Sequence, residues 1–302
     1  MSDDEALVAL LRLLKAADYR FTAVTPATHA RVLQHPCSSP DLRDIFGWNR
    51  WFAESDLDPQ LSRCLERSRM LEQRDGRLRS MVRVASLGGD LFLHSAYPTV
   101  AADTVFFGPD TYRFARFLCE RVSRLAAPPK WIVDMGAGSG AGAILAANRV
   151  PGARITAVDV NPQTLRFTRI NAEAAGVDVE RVHSSVMPAG ADLVIANPPY
   201  IMDAPARTYR HGGELLGGQV ALEWVNQALR NLRPGGTMLL YTGAAVVGGR
   251  SPLIEALQCA CMDAGAELEL QETDPDVFGE ELDEPAYAEV ERIALISAAI
   301  RK

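Results

Sequence analysis

Apolar residues recur along this chain in two rhythms, and the change between them falls near residue 100. In the first part the rhythm is helical and short. Leu7, Leu10, Leu11 and Leu14 share one face of a helix that Asp4 can cap. Asp41 can cap a second, carrying Leu42, Ile45, Phe46 and the stretch from Trp48 to Phe52, and DPQLSRCLERSRML (58–71) predicts a third. RLRSMVRVASLGGDLFLHSA then reads as two β-runs about Gly88-Gly89, a hairpin signal. Three helices followed by a hairpin predict a small α+β module with the order of a winged helix.

Beyond Trp131, short apolar runs alternate with amphipathic stretches. WIVDMG, ARITAVDV, VERVHSS and ADLVIANPPY predict strands. AGAILAANRV, PQTLRFTRINAEAAG and QVALEWVNQALRNL predict helices, the second closed by Gly176 and the third by Pro234-Gly235-Gly236. TMLLYTG, AELELQE and VERIALISAA supply later strands. That alternation predicts an α/β fold with a doubly wound, largely parallel sheet. PDTYRFARFLCERVSRL (109–125) predicts a helix leading into it and AAPPK (126–130) a linker. The expected domains are therefore 1–100, a winged-helix-like substrate or partner module, and 101–302, the sheet.

Composition narrows the class. At 302 residues, 48% hydrophobic and 23% charged, the chain has the make-up of a soluble globular protein. A net charge of −7 argues against non-specific coating of nucleic acid. The charge is uneven, however: residues 1–130 hold 18 Lys/Arg and 16 Asp/Glu, residues 131–302 hold 13 and 22. Arg63 to Arg83 is the sharpest excess, with seven arginines against three acids, and reads either as a phosphate-binding face or as a solvated one. Five cysteines without a C-x-x-C pair fit a reducing cytoplasm, and the five histidines show no zinc spacing, so no metal is expected. The acidic start Met1-Ser-Asp-Asp-Glu is unlike a signal peptide, and no apolar run approaches the roughly 20 residues that span a bilayer.

The candidate chemistry lies at strand ends. DMGAGSGAG (134–142) makes a glycine turn after the first strand of the second part, with Gly136, Gly138 and Gly140 letting backbone approach a ligand and leaving the next helix's amides free. The same turn satisfies G-x-G-x-x-A through Gly136, Gly138 and Ala141, so a dinucleotide-binding domain is an open alternative. Asp134, two residues before the first glycine, can face the cationic amino-acid end of a ligand. Asp159 ends the second strand, where an acid accepts both ribose hydroxyls or caps the helix after it. After the fourth strand comes Asn197-Pro198-Pro199-Tyr200, whose prolines remove two backbone donors and stop both strand and helix.

In this order, D-x-G-x-G-x-G, a strand-end Asp and N-P-P-Y closely resemble the class I S-adenosylmethionine-dependent methyltransferases that modify planar nitrogens. The resemblance implies a Rossmann-like sheet and S-adenosylmethionine as cofactor, with S-adenosylhomocysteine as product. It implies that the Asn197 side-chain oxygen and the Pro198 carbonyl accept hydrogen bonds from the target nitrogen, while Pro199 stiffens the turn. The Tyr200 ring would stack on the substrate, so that Tyr200→Phe is expected to be nearly silent. The implied cofactor residues are Asp134, Gly136, Ala137, Gly138 and Gly140, then Asp159 with Val160, then Ser184 and Ser185, and Asn197. Among them Asp134, Gly136 and Gly138 would take the methionine end, Asp159 the ribose and Ser185 the adenine edge.

Two further segments are similar to HemK-like glutamine N5-methyltransferases: TVFFGPDTYRFARFL to their P-x-[DE]-T segment, GELLGGQVALEWVNQAL to their A-L-x-G-G-x-D-G-L segment. The likeness covers about residues 105–300. Gly108 stands where those enzymes usually have arginine and Tyr112 where they have glutamate; Gln219 and Ala221 interrupt the G-G-x-D-G pattern, and Ser185 replaces a common aspartate. A release-factor glutamine, another protein amide and a small molecule therefore all stay open as acceptors. The chain also resembles bacterial methyltransferases with an N-terminal winged-helix-like domain.

Three functions compete. The first is a protein or small-molecule amide N-methyltransferase. The second is an RNA or DNA base N-methyltransferase using the arginine-rich stretch. The third is a non-enzymatic winged-helix regulator that senses cofactor, against which the intact N-P-P-Y counts. RTYRHGG (207–213) offers Tyr209, Arg210 and His211 as substrate contacts, or is a polar surface loop. His183, Trp48 and Trp51 read as structural, and DPDVFGEELDEPAYAEVE (274–291) as an acidic loop at the substrate mouth or in solvent.

Overall fold

Each apolar run beyond Trp131 becomes a strand of one sheet. The computed structural model describes residues 2–203, 207 and 209–302. The first part contains α1 (Asp3–Ala16), α2 (Pro26–Leu33), α3 (Leu42–Phe46), α4 (Pro59–Arg67), and strands β1 (Leu71–Arg74), β2 (Arg77–Ser80), β3 (Val82–Leu87) and β4 (Asp90–Ser95). After α5 (Pro109–Val122) come β5 (Trp131–Met135), α6 (Ala141–Arg149), β6 (Arg154–Asp159), α7 (Pro162–Ala175), β7 (Glu180–His183) and β8 (Leu193–Ala196). The chain closes with α8 (Gln219–Asn231), β9 (Thr237–Val246), α9 (Pro252–Asp263), β10 (Glu267–Asp274) and β11 (Arg292–Arg301).

The sheet order is β10-β11-β9-β8-β5-β6-β7. Strands β5 to β9 pair in parallel, while β11 is antiparallel to both β9 and β10, so the parallel sheet carries an antiparallel edge. From β5 the chain winds outward to β6 and β7 on one side, then returns to β8 on the other. That reversal opens a crevice at the carboxyl ends of β5 and β8, where such sheets bind ligands.

The first hundred residues differ from expectation in four ways. α1 is capped by Ser2, whose side chain and Glu5 form a capping box; Asp4 is free for Arg166, at 2.7 Å, and for Arg169 on α7. TPATHARVL forms a helix, α2, capped by Thr25 with Pro26 at its first position. Two antiparallel hairpins stand where one was expected: β1–β2 turns at Asp75-Gly76, both with positive φ, and β3–β4 turns at Gly88-Gly89. Arg69, at φ 57°, ends α4 before the expected boundary.

This part shares its core with the sheet. Leu7, Leu10, Leu11 and Leu14 are buried in one apolar cluster with Phe167 and Ile170 of α7 and Val84 and Leu93 of the hairpin. Burying each such side chain contributes roughly 1.5–3 kcal/mol. Asn171, fully buried on α7, stitches the parts together: it accepts from the Leu93 amide at 2.8 Å and donates to the carbonyls of Leu93 and Ser139 at 3.1 and 2.8 Å. Ser139 lies in the glycine turn, so the hairpin braces that turn through one side chain.

The arginine-rich stretch does not make one free cationic face. Arg83 is buried and donates to the Ser95 carbonyl, and Arg79 pairs with Glu72 at 2.8 Å, over the Trp51 ring. Arg63, Arg67, Arg69, Arg74 and Arg77 are exposed. Among the described residues no helix is long and apolar enough to cross a membrane.

Candidate active site

The glycine turn is cut from backbone that side chains would obstruct. Gly136 sits at φ 71°, and a Cβ there would lie 2.4 Å from the Trp224 ring. Gly138, at φ 56°, has nothing within 4 Å of the Cβ position, because that side opens on a cavity. Gly140 serves as the N-cap of α6. The turn therefore presents bare backbone and a helix N-terminus to whatever fills the cavity.

Asp134 is buried at the end of β5 and accepts the Ala143 amide of α6 at 2.7 Å. Its carboxylate thus also braces the turn, in addition to lining the cavity. Burial, with Asp159 nearby, pushes its pKa up to about 7. A carboxyl raised from 3.8 stabilises the fold most when protonated; that contribution is full below 3.8 and is lost as pH rises through about 7. Asp134→Asn keeps an oxygen for Ala143 and never ionises. In the cofactor-free protein the variant should gain on the wild type by on the order of 3 kcal/mol between about pH 5 and pH 8. Denaturant unfolding at several pH values measures this; a pH-independent difference would refute it.

Asp159 closes β6 with its two oxygens on backbone amides, Asn161 at 2.9 Å and Gly138 at 3.3 Å, and burial raises its pKa. It thereby fixes the second glycine of the turn. Val160 and Val186 line the cavity although 44% and 62% exposed, two apolar side chains left open at a ligand wall. The Ser184 hydroxyl bonds within its own turn, to the amide and carbonyl of Val186. Gln227 on α8 holds this turn, accepting from the Met187 amide at 2.8 Å and donating to the Ser185 carbonyl at 3.3 Å. The His183 ring bonds the Val160 carbonyl at 2.9 Å.

At the end of β8 the Asn-Pro-Pro-Tyr turn enters the same cavity. The Asn197 side-chain oxygen is buried and has no hydrogen-bond partner among the described residues. A buried acceptor left unmade costs about 1–3 kcal/mol, so its natural state is to be met by a donor. Tyr200 differs from expectation. Its ring lies against Gly243 of β9 and Phe278, and its hydroxyl donates to Asp110 at 2.6 Å. A ring so enclosed is an anchor of the turn as well as a wall of the cavity, and Tyr200→Phe, expected to be nearly silent, removes the donor to Oδ2 of the buried Asp110 and leaves it only Arg113.

Of the 207–211 loop, Tyr209, Arg210 and His211 line the cavity, and Arg207 and Tyr209 meet Thr99 and Phe106. Tyr209 donates to the Thr99 carbonyl at 2.8 Å and stacks on Phe106, centroids 6.0 Å apart. Arg210 is paired with Asp203 and Glu281, while the buried Nδ1 of His211 has no hydrogen-bond partner among the described residues. Thr208 of this loop lies outside the described residues. The cavity, of about 560 Å³, is lined by every expected catalytic, cofactor and substrate residue except Gly140: the turn and Asp134, Asp159 and Val160, Ser184 and Ser185, Asn197 to Tyr200, and Tyr209 to His211; Gly108, Tyr112, Gln219 and Ala221 of the two HemK-like segments do not line it. None of the seven arginines of 63–83 lines it. Asp110, Trp224, Gln227 and Phe278 also line it; none was named from the sequence, although they lie in the P-x-[DE]-T segment, in GELLGGQVALEWVNQAL and in the 274–291 loop. Among the described residues no cluster of three His, Cys, Asp or Glu can hold a metal ion.

Comparison with known proteins agrees with this geometry. Residues 105–247 match the family Methyltransferase small domain. The chain is 34% identical over 146 residues to the release factor glutamine methyltransferase of Deinococcus radiodurans, covering 44% of this chain and 51% of that protein. It is 35% identical over 144 residues to the enzyme of that name from Gloeobacter violaceus, covering 42% and 49%. The chain spans about half the length of the curated relatives it matches. Its fold is similar to Trm5b from Pyrococcus abyssi (TM-score 0.51, 18% identity, 76% of this chain and 61% of that one). It is also similar to TYW2 of M. jannaschii in complex with AdoMet (TM-score 0.50, 14% identity, 74% and 87%).

The cavity fits S-adenosylmethionine. Bare glycine backbone and a helix N-terminus lie at one part of it, an acid at the end of the neighbouring strand, open valines beyond, and an unpartnered amide oxygen at the far turn. Over residues 105–247 the chain is similar to HemK-like methyltransferases, and its sheet has the class I methyltransferase fold, for which S-adenosylmethionine is the fitting cofactor.

Proposed function

We propose that the protein methylates a planar amide nitrogen, that of a glutamine side chain in a protein acceptor. The observation that carries this is the Asn197-to-Tyr200 turn on the wall of the cavity that fits the cofactor, with the buried Asn197 oxygen unpartnered among the described residues. S-adenosylmethionine supplies an electrophilic methyl on a sulfonium. Asp134 and the Gly136–Gly138 backbone would hold its amino-acid end, Asp159 the ribose, and Val160, Ser184, Ser185 and Val186 the adenine.

An amide nitrogen is a weak nucleophile because its lone pair is shared with the carbonyl. Acceptors at Asn197 and Pro198 bind its hydrogens, favour a pyramidal nitrogen and aim the lone pair. The bound cofactor would supply the methyl group to that nitrogen, which the Asn197 and Pro198 acceptors would hold while it loses one proton to water. Positioning and electrostatics suffice, without a strong base. A protein glutamine is supported by the relatives named for that reaction. Nucleic-acid bases have less support, since the exposed arginines lie off the cavity. A purely sensing role would not call for the Asn197 arm. The cytoplasm is the compartment that fits the five free cysteines.

The test is incubation of the full chain with a purified bacterial peptide chain release factor and methyl-tritiated S-adenosylmethionine. Label in a glutamine side chain, absent with Asn197→Ala, is the expected result. Label transferred instead to an RNA supplied alongside would replace the protein reading.

A further inference from the structure

The prolines that make the Asn-Pro-Pro-Tyr turn rigid also deprive it of backbone anchors. Neither Pro198 nor Pro199 has an N–H to donate, and the next amide bond beyond them is Ile201 to the Arg210 carbonyl, at 3.1 Å. The turn is held instead through a side chain. The Tyr200 hydroxyl donates to Asp110 Oδ2 at 2.6 Å, and Asp110, 5% exposed, stands in the first turn of α5 on the cavity wall. Asp110 Oδ1 accepts from Arg113 at 3.4 Å, and Arg113 in turn meets Asp274 of β10 at 3.3 Å. Burial keeps the Tyr200 hydroxyl protonated, far above its ordinary range, so it remains a donor. A Cβ at Gly243 would lie 2.2 Å from the ring, which leaves the tyrosine little freedom to pivot.

We propose that Asp110 is a positioning residue for methyl transfer, which by holding the Tyr200 hydroxyl fixes the turn that carries the Asn197 oxygen and the Pro198 carbonyl. The proposal rests on the reading that Asn197 orients the acceptor nitrogen. Asp110 touches neither reacting atom; it acts through Tyr200. The same bond could do no more than fasten α5 to the sheet, and the two roles differ in what happens at Asn197.

The experiment uses the deuterated, ¹⁵N-labelled full chain bound to S-adenosylhomocysteine, with the Asn197 side-chain amide assigned by its loss in Asn197→Asp. Tyr200→Phe and Asp110→Ala should move or broaden that signal in the same way, while Asp110→Asn, which keeps an oxygen acceptor, should largely retain it. In parallel, Tyr200→Phe and Asp110→Ala should each slow transfer to a release factor by about tenfold or more, as for a lost hydrogen bond to a charged group, with the KM for S-adenosylmethionine unchanged. The double variant should be no slower than either single one. An unmoved Asn197 signal in folded Tyr200→Phe, or losses that multiply, overturns the proposal even if Asp110→Ala does not fold. Should the wild type leave the release factor unmethylated, the acceptor reading fails, and the Asn197 signal still decides the part played by Asp110.

Discussion

Asn197→Ala is expected to lower methyl-transfer turnover by roughly 10²–10³-fold, the range seen on deleting one preorganised hydrogen-bonding group at a transition state. Among the described residues the Asn197 oxygen has no partner to lose, so its removal breaks no hydrogen bond there. Its interaction with the acceptor strengthens as the nitrogen becomes pyramidal, which puts the loss in kcat rather than in KM. Cofactor affinity should stay within a few-fold, because the turn at Gly136–Gly138 and Asp159 are untouched. Single-turnover rates with labelled cofactor, set beside calorimetric titration of the same variant, separate the two quantities. A variant that turns over normally would mean that the target nitrogen is held elsewhere.

Asp159→Ala should act the other way, on binding first. One carboxylate serves two structural amides, Gly138 and Asn161, and the residue lines the cavity. Losing charged hydrogen bonds to two ribose hydroxyls costs roughly 1.5–3 kcal/mol, about 10- to 150-fold in affinity. Releasing the Gly138 amide adds to that by loosening the turn. Titration with S-adenosylmethionine, S-adenosylhomocysteine and NAD as competitor reads both the size of the effect and the class of ligand. Preferential binding of NAD by the wild type would return the glycine turn to its dinucleotide reading.

The central strands of the sheet were legible because they are buried on both faces and so read as nearly unbroken apolar runs, from WIVDM to RIALISAAIR, while the edge strand β10 showed instead as alternation in AELELQE. Position at strand ends likewise made Asp134, Asp159 and Asn197 legible, since the crevice of such a sheet lies there. The polar hairpin β1–β2 was hidden by its exposed, arginine-rich strands, although Asp75-Gly76 is a strong turn signal. α9 was passed over because LIEALQCACM is apolar nearly all round, although Ser251-Pro252 marks its start. Tyr200 illustrates a different limit. A motif states that a ring is present, whereas which way it faces depends on Gly243 and Asp110, 43 and 90 residues away in the chain and brought together only by packing. Trp224 and Gln227 were invisible for the same reason: they are ordinary residues of an amphipathic helix until α8 lies against the glycine turn.

The most direct measurement is a crystal structure of the full chain with S-adenosylmethionine bound. The account predicts the sulfonium methyl pointing at the Asn-Pro-Pro-Tyr turn, with a gap that one nitrogen fills: about 3 Å from the Asn197 oxygen and 3–3.5 Å from the methyl carbon. A methyl directed away from that turn, or an Asn197 side chain rotated out of the cavity with the cofactor in place, would contradict it.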